Sequence, residues 1–249
     1  MQLVYECANG WNWTQASWTS TSIGSIGIEC SPAVAGATVA ERITALRGYQ
    51  IGALNQSRLG IPATFVIETS HCGAAGGTIF PMGATQGASW NVTLVAAIAR
   101  AIGVEAAAWG GSRGLSPEIN VVTDPRFGRT EENFGEEPLL VAMMAEAAVV
   151  GLQGGRAMPT EYLADPTSSV VAEAKHCCVY GASGLDGGAA DVSDATLHNV
   201  YLKPWRAFIR AGVSSSKTCG CAIACAHPPH PRLSSPPSPS GPRHDGEPQ

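Results

Sequence analysis

The run Asp124-Pro125-Arg126-Phe127-Gly128-Arg129-Thr130-Glu131-Glu132-Asn133-Phe134-Gly135-Glu136-Glu137-Pro138 gathers two arginines and five acids in fifteen residues, in a chain with only 14% charged residues. Arginine is a rigid fork of five donors, suited to carboxylates or to vicinal hydroxyls. Two further clusters carry comparable chemistry. Lys175-His176 closes the β-rich run Val170–Lys175 with two adjacent donors. Glu68 ends the run Ala63–Glu68 and is followed by His71 and Gly73, and a carboxylate there can accept two hydroxyl hydrogen bonds. Taken singly, each has a bland reading: a solvated charged loop, a polar strand terminus, a structural ion pair. Three strand ends that deliver polar groups to one face are harder to dismiss.

The elements that must hold these groups alternate. Short β-rich runs occur at Ile23–Ile28, Ala63–Glu68, Ile119–Thr123 and Val170–Lys175, and amphipathic helical patterns lie between them. Glu41 to Leu54 places Ile43, Leu46, Gln50 and Leu54 on one face. Val92 to Ile102 does so with Leu94, Val95, Ile98 and Ile102. Pro138 can open a helix with a stripe of Leu139, Ala142, Met143 and Val149, and Gly151 can stop it. Ser193 can cap a helix carrying Leu197, Val200, Tyr201, Trp205 and Phe208, kinked at Pro204 and ended by Gly212. Strand–helix alternation with long connections predicts parallel strands and right-handed crossovers. A (β/α) barrel and an open doubly wound sheet both satisfy it, although no G-x-G-x-x-G follows the first strand. About four βα units are visible, where a closed barrel takes about eight. The expected fold is therefore α/β, a TIM-type barrel about half complete.

In the resulting order the arginine-rich run, Lys175-His176 and Glu68 all stand at C-terminal strand ends, the face where barrels carry their sites. Here the residues resemble glycoside hydrolase family 3. The resemblance is carried by Leu59-Gly60-Ile61-Pro62, Glu68-Thr69-Ser70-His71, Thr78-Ile79-Phe80-Pro81-Met82-Gly83, the whole of Asp124–Pro138, Val171–Tyr180 and Tyr201-Leu202-Lys203-Pro204-Trp205. It covers roughly residues 40 to 212, and its order and spacing agree throughout. It implies that Glu68, Arg129, Lys175 and His176 bind sugar hydroxyls, that Arg126, Glu132 and Glu136 buttress the loop, and that the substrate is a β-linked glucoside, xyloside or oligosaccharide. It further implies a retaining mechanism with two carboxyl groups and no metal or organic cofactor. The nucleophile, on a later strand, and the acid/base, from a second domain, are expected to be absent from this chain, so no catalytic residue is assigned. The family's E-A-R-A reads Glu105-Ala106-Ala107-Ala108, and the G-H-G-D-T loop of its N-acetylglucosaminidase branch does not follow Lys175-His176. Glu68, in place of the Asp of the family's β-glucosidases, resembles its xylosidases, although Phe65-Val66-Ile67 does not.

The 249 residues are 45% hydrophobic with a net charge of −5 and no basic cluster, which disfavours nucleic-acid and anionic-membrane partners. Apolar runs such as Leu139 to Ala145 are broken by charges short of a membrane span. The start lacks the basic flank and apolar core of a signal peptide, so either the protein stays in the cell or its N-terminus lies upstream, and compartment stays open along with oligomeric state. Eight scattered cysteines make no disulfide scaffold, and the sequons at Asn12, Asn55 and Asn91 matter only in a secreted chain. The chain divides at 213: residues 1–213 read as the partial barrel domain, and 214–249, with eight of the seventeen prolines, as a disordered tail. Cys219, Cys221, Cys225, His227 and His230 fall in that tail in no standard zinc spacing, so no metal site is assigned.

Overall fold

The computed structural model describes residues 25–27, 38–57, 59–73, 77–155, 163–182, 190–213, 215–218 and 223–225. Its elements in chain order are β1 (Ser25–Gly27), α1 (Val39–Gln56), β2 (Thr64–Ile67), α2 (Gly83–Ala88), α3 (Val92–Trp109), β3 (Arg113–Gly114), α4 (Pro138–Leu152), β4 (Val171–Cys177), β5 (Ala190–Val192), α5 (Asp194–Thr196), a π turn (Leu197–Tyr201), α6 (Leu202–Arg210), β6 (Ser215–Thr218) and β7 (Ile223–Cys225). All ladders are parallel. The main sheet runs β1-β2-β3-β4-β6, while β5 pairs with β7. Spatial order follows chain order, so the described strands contain no topological reversal of the doubly wound kind.

Helix ends obey their local chemistry. Thr38 and Glu41 form a capping box on α1, Asn91 caps α3 through Leu94 N, and Glu137 caps α4 through Leu139 N and Leu140 N with Pro138 in the first turn. Ser193 caps α5 as expected, and Gly212, at φ 85°, follows the end of α6. The core forms where α3 lies along α4 and both cover the sheet. Val95, Ile98 and Ile102 meet Val141, Met144, Val149 and Leu152, all buried, and each contributes about 1.5–3 kcal/mol. By length and composition α3 could cross a membrane, contrary to the expectation that no apolar run is long enough. Here it buries Val95, Ile98, Ala99, Ile102, Gly103 and Ala106 against its neighbours, as a core helix does.

Several expectations are corrected. Ile119–Thr123, buried as far as Val122, is not the third strand. Ile119 N donates to Lys175 O beside the single bridge between Glu118 and Lys175, but the amides that follow turn to other partners: Asn120 N donates to Asn133 Oδ1, Val122 N to Gly135 O and Thr123 N to Gly181 O. The strand is β3, two residues with no alternation to betray it. The disordered reading of 214–249 is corrected at β6 and β7: Ser215–Thr218 takes the open side of β4, where backbone pairing needs no apolar side chains. The rest of that segment, with Cys219, Cys221, His227 and His230, lies outside the described residues, as do residues 1–24. On α1 the buried face is rotated from the expected stripe. Ile43 and Leu54 are exposed, while Arg42 is buried with its guanidinium 3.3 Å from the centroid of the Trp109 ring. Gly151 does not stop α4; it is a close contact with Ala99 on α3, and the left-handed residue is Gly154. Pro204 sits in the first turn of α6, and the irregularity it causes is the π turn before it, which suits the missing N–H. Cys177 and Cys178 are disulfide-bonded.

Candidate functional site

The four residues singled out in the sequence come together, at the C-terminal ends of β2 and β4. Glu68 follows β2 directly. Its Oε1 accepts from Thr69 N (3.0 Å), Ser70 N (3.1 Å) and Ser70 Oγ (2.7 Å), which fixes the carboxylate against its own turn. Its Oε2 receives Lys175 Nζ from β4 at 2.8 Å. The pair is asymmetric in exposure: the Glu68 side chain is 40% exposed and that of Lys175 only 4%. Glu68 thus forms the mouth of the cluster and Lys175 its floor.

Beneath Lys175 lies a residue the sequence did not single out. Glu118, fully buried, sits in the extended arm between β3 and the arginine-rich loop. It meets Lys175 Nζ at 3.3 Å and accepts from Arg129 Nη2 at 2.6 Å. Arg129 also makes a two-pronged contact with Glu132, Nε and Nη2 each 2.7 Å from a carboxylate oxygen, and its Nη1 lies 3.3 Å from His176 Nε2. His176 is buried edge-on against Tyr180, with ring centroids 5.0 Å apart, and Tyr180 in turn meets Phe127 at 4.9 Å.

Two asparagines close the arrangement. Asn120 Nδ2 donates to Glu118 Oε2 (3.2 Å) and to Asn133 Oδ1 (3.0 Å), while Asn120 Oδ1 accepts from His176 N (3.3 Å). Asn133 Nδ2 then donates to Arg129 O at 2.8 Å, returning the network to its start. Glu118 and Asn120 are alternate positions of one extended segment, and the sequence reading singled out neither. The loop is seated by α2. A Cβ at Gly83 would strike the Glu132 backbone and one at Gly87 the Phe134 backbone, so the helix approaches the loop through its two glycines.

The electrostatics follow from this packing. Burial alone would raise the Glu132 carboxyl, but the hydrogen bonds from Arg129 and the charges of Arg129 and Lys175 outweigh it and hold it at about 2. Burial would likewise lower Lys175; the Glu68 and Glu118 carboxylates prevail and raise it, so the ammonium stays charged. Arg126 and Asp124 stand apart from the cluster. They pair with one another on the surface at 2.6 Å, Arg126 is 80% exposed at its side chain, and its hydrogen bonds hold Asp124 at about 2. Glu136 lines a separate cavity of about 320 Å³ with Val122, Thr123, Pro125, Thr130 and Gly135.

Comparison with known proteins decides what this arrangement is related to. Residues 18–219 match the glycosyl hydrolase family 3 N-terminal domain. The chain belongs to glycosyl hydrolase family 3. Family 3 relatives include a periplasmic beta-glucosidase of Salmonella typhimurium, 32% identical over 169 residues (67% of this chain, 21% of the relative), and a beta-xylosidase of Formosa agariphila, 36% identical over 143 residues (55% and 19%). Among solved structures, a beta-glucosidase from Erythrobacter marinus superposes with a TM-score of 0.72 at 32% identity, covering 81% of this chain and 26% of that one. The beta-glucosidase from Listeria innocua in complex with glucose gives a TM-score of 0.68 at 30% identity, covering 81% and 26%. The chain spans about a fifth of the length of these curated relatives and about a quarter of the solved chains.

Proposed function

We propose that this chain is the sugar-gripping part of a (β/α)-barrel β-glycosidase acting on glucosides or xylosides. The observation that carries the reading is the meeting of Glu68 and Lys175 at 2.8 Å, from different strands, with Arg129 and His176 joined to them through one buried carboxylate. Acceptors and charged donors side by side match the two faces of a hydroxyl, which gives one proton and takes another. The unreversed strand order supports the barrel, and the site stands on the face where barrels act.

In the proposed retaining mechanism one carboxylate attacks the anomeric carbon and one carboxylic acid protonates the leaving oxygen, with no metal or organic cofactor required. The acids of this cluster are poor candidates for attack. Glu68 is held by four hydrogen bonds, and Glu118 and Glu132 share Arg129. A carboxylate so engaged is a weak nucleophile, so the reading assigns them to binding. Glu68, Arg129, Lys175 and His176 orient the sugar, and the two reacting carboxyl groups come from elsewhere. The test is calorimetric titration of the 249-residue chain with gluconolactone, alongside an assay with aryl β-glucoside and β-xyloside. Binding without turnover is expected, with binding abolished by Lys175→Ala. Turnover above an inactivated control would show that the nucleophile has been misassigned, and no binding of gluconolactone would remove the sugar site.

A further inference from the structure

Asn133 is fully buried between the arginine-rich loop and the extended arm, and its partners allow its amide one orientation. The backbone N–H of Asn120 can only donate, and it lies 3.1 Å from Asn133 Oδ1. The backbone carbonyl of Arg129 can only accept, and it lies 2.8 Å from Asn133 Nδ2. Asn120 is fixed in turn: its Nδ2 stands 3.0 Å from Asn133 Oδ1 and 3.2 Å from Glu118 Oε2. Its Oδ1 is then left for the backbone N–H of His176, at 3.3 Å. Two side-chain amides thus join three stretches of backbone: the turn that bears Arg129, the arm, and the end of β4. Arg129 O also accepts from Glu132 N at 3.2 Å, so the turn Thr130–Glu132 is clamped at its origin. From within that same turn Glu132 aims the Arg129 guanidinium.

We infer that Asn133 is a positioning residue of this site: by holding Arg129 O and Asn120 N together it sets where the Arg129 guanidinium stands relative to Lys175 and His176. The inference rests on the proposed sugar site and names a residue that serves it from behind, without reaching substrate. The direction of the bonds makes an amide necessary. Aspartate has the same shape but no donor, so N133D sets a carboxylate oxygen against Arg129 O while still accepting from Asn120. The substitution leaves Glu118, Glu132, Arg129 and Lys175 themselves in place. What it removes is the tie between the turn and the arm.

The experiment is gluconolactone titration of the 249-residue chain and of N133D, each with and without R129K. Alongside it, NMR follows hydrogen exchange at Arg129 Nε–H, which reports how firmly Glu132 holds that group. N133D is expected to weaken gluconolactone about tenfold, within the range of coupling inside one hydrogen-bond network, and to speed exchange at Arg129 Nε–H. Lysine has no planar fork to aim, so in R129K the same change should weaken gluconolactone by no more than about twofold. A residue that only supported the fold would cost the same factor in both backgrounds, and that result overturns the inference. So does a folded N133D with unchanged exchange at Arg129 Nε–H. Should N133D fail to fold, the unaltered chain still decides: backbone amides of Asn120 and His176 that exchange as fast as exposed loop amides overturn the inference. If the unaltered chain binds no gluconolactone while N133D speeds exchange at Arg129, the positioning inference stands and the sugar reading falls.

Discussion

At the scale of single residues, the site is a set of buried charges that depend on one another. Removing one member of a buried ion pair costs about 3–5 kcal/mol because it strands the other. Arg129→Ala removes the two-pronged partner of Glu132 and one of the two cations at Glu118, so urea unfolding should show a loss of about 3 kcal/mol. Arg126→Ala should leave the unfolding midpoint nearly unchanged, since its pair with Asp124 is on the surface. The contrast matters because the two arginines are three positions apart in one motif, and a uniformly solvated loop would make their effects equal. The pH dependence has a definite sign. Glu132 is held at about 2, below its ordinary 4.5, so its contribution to stability is fully present above pH 4.5 and is lost as pH falls toward 2. Lys175 is raised, so its contribution persists through neutral pH and is lost only above its ordinary value of 10.5. Thermal midpoints measured from pH 5 down to 2 should fall, and less steeply in Glu132→Gln; a parallel decline would put the effect elsewhere.

At the scale of elements, α2 matters more than its six residues suggest. Gly87→Ala places a methyl against the Phe134 backbone, which cannot retreat without moving the loop that carries Arg129. Overpacking of this kind costs about 1–3 kcal/mol, and gluconolactone affinity should fall with stability. A variant with undiminished stability and binding would mean that helix and loop move independently. Much of this arrangement was readable in advance. The strand ends bearing Glu68 and Lys175-His176, the cap Ser193, the helix start at Pro138, and the clustering of the four hydroxyl-binding candidates all follow from local chemistry and the motif. Glu118 was not readable, because a single acid in an apolar stretch carries no local sign of the three groups it will meet. Nor were β3 and β6: two residues cannot show a period, and a run of serines, lysine and threonine has no apolar alternation to mark a strand. The rotated face of α1 was missed for a related reason, since Arg42 is a charge by type and a planar stacking surface in place.

At the scale of the whole molecule, the five-stranded parallel sheet has β1 and β6 as its outer strands among the described residues, and outer strands present a row of backbone groups to any neighbour. The polypeptide on its own should therefore self-associate as concentration rises, which sedimentation velocity will register; a monodisperse monomer throughout would show that these edges are protected. The ion pair between Glu68 and Lys175 also bears on when the site comes into being. Its partners are separated by 107 positions along the chain. Contacts that distant must wait for a large loop to close, and they form after the helices, whose bonds join residues four apart. In refolding, a probe of this ion pair should lag behind far-ultraviolet circular dichroism. During synthesis, Glu68 must leave the ribosome and remain in water, without its cation, until the segment carrying Lys175 has followed it out.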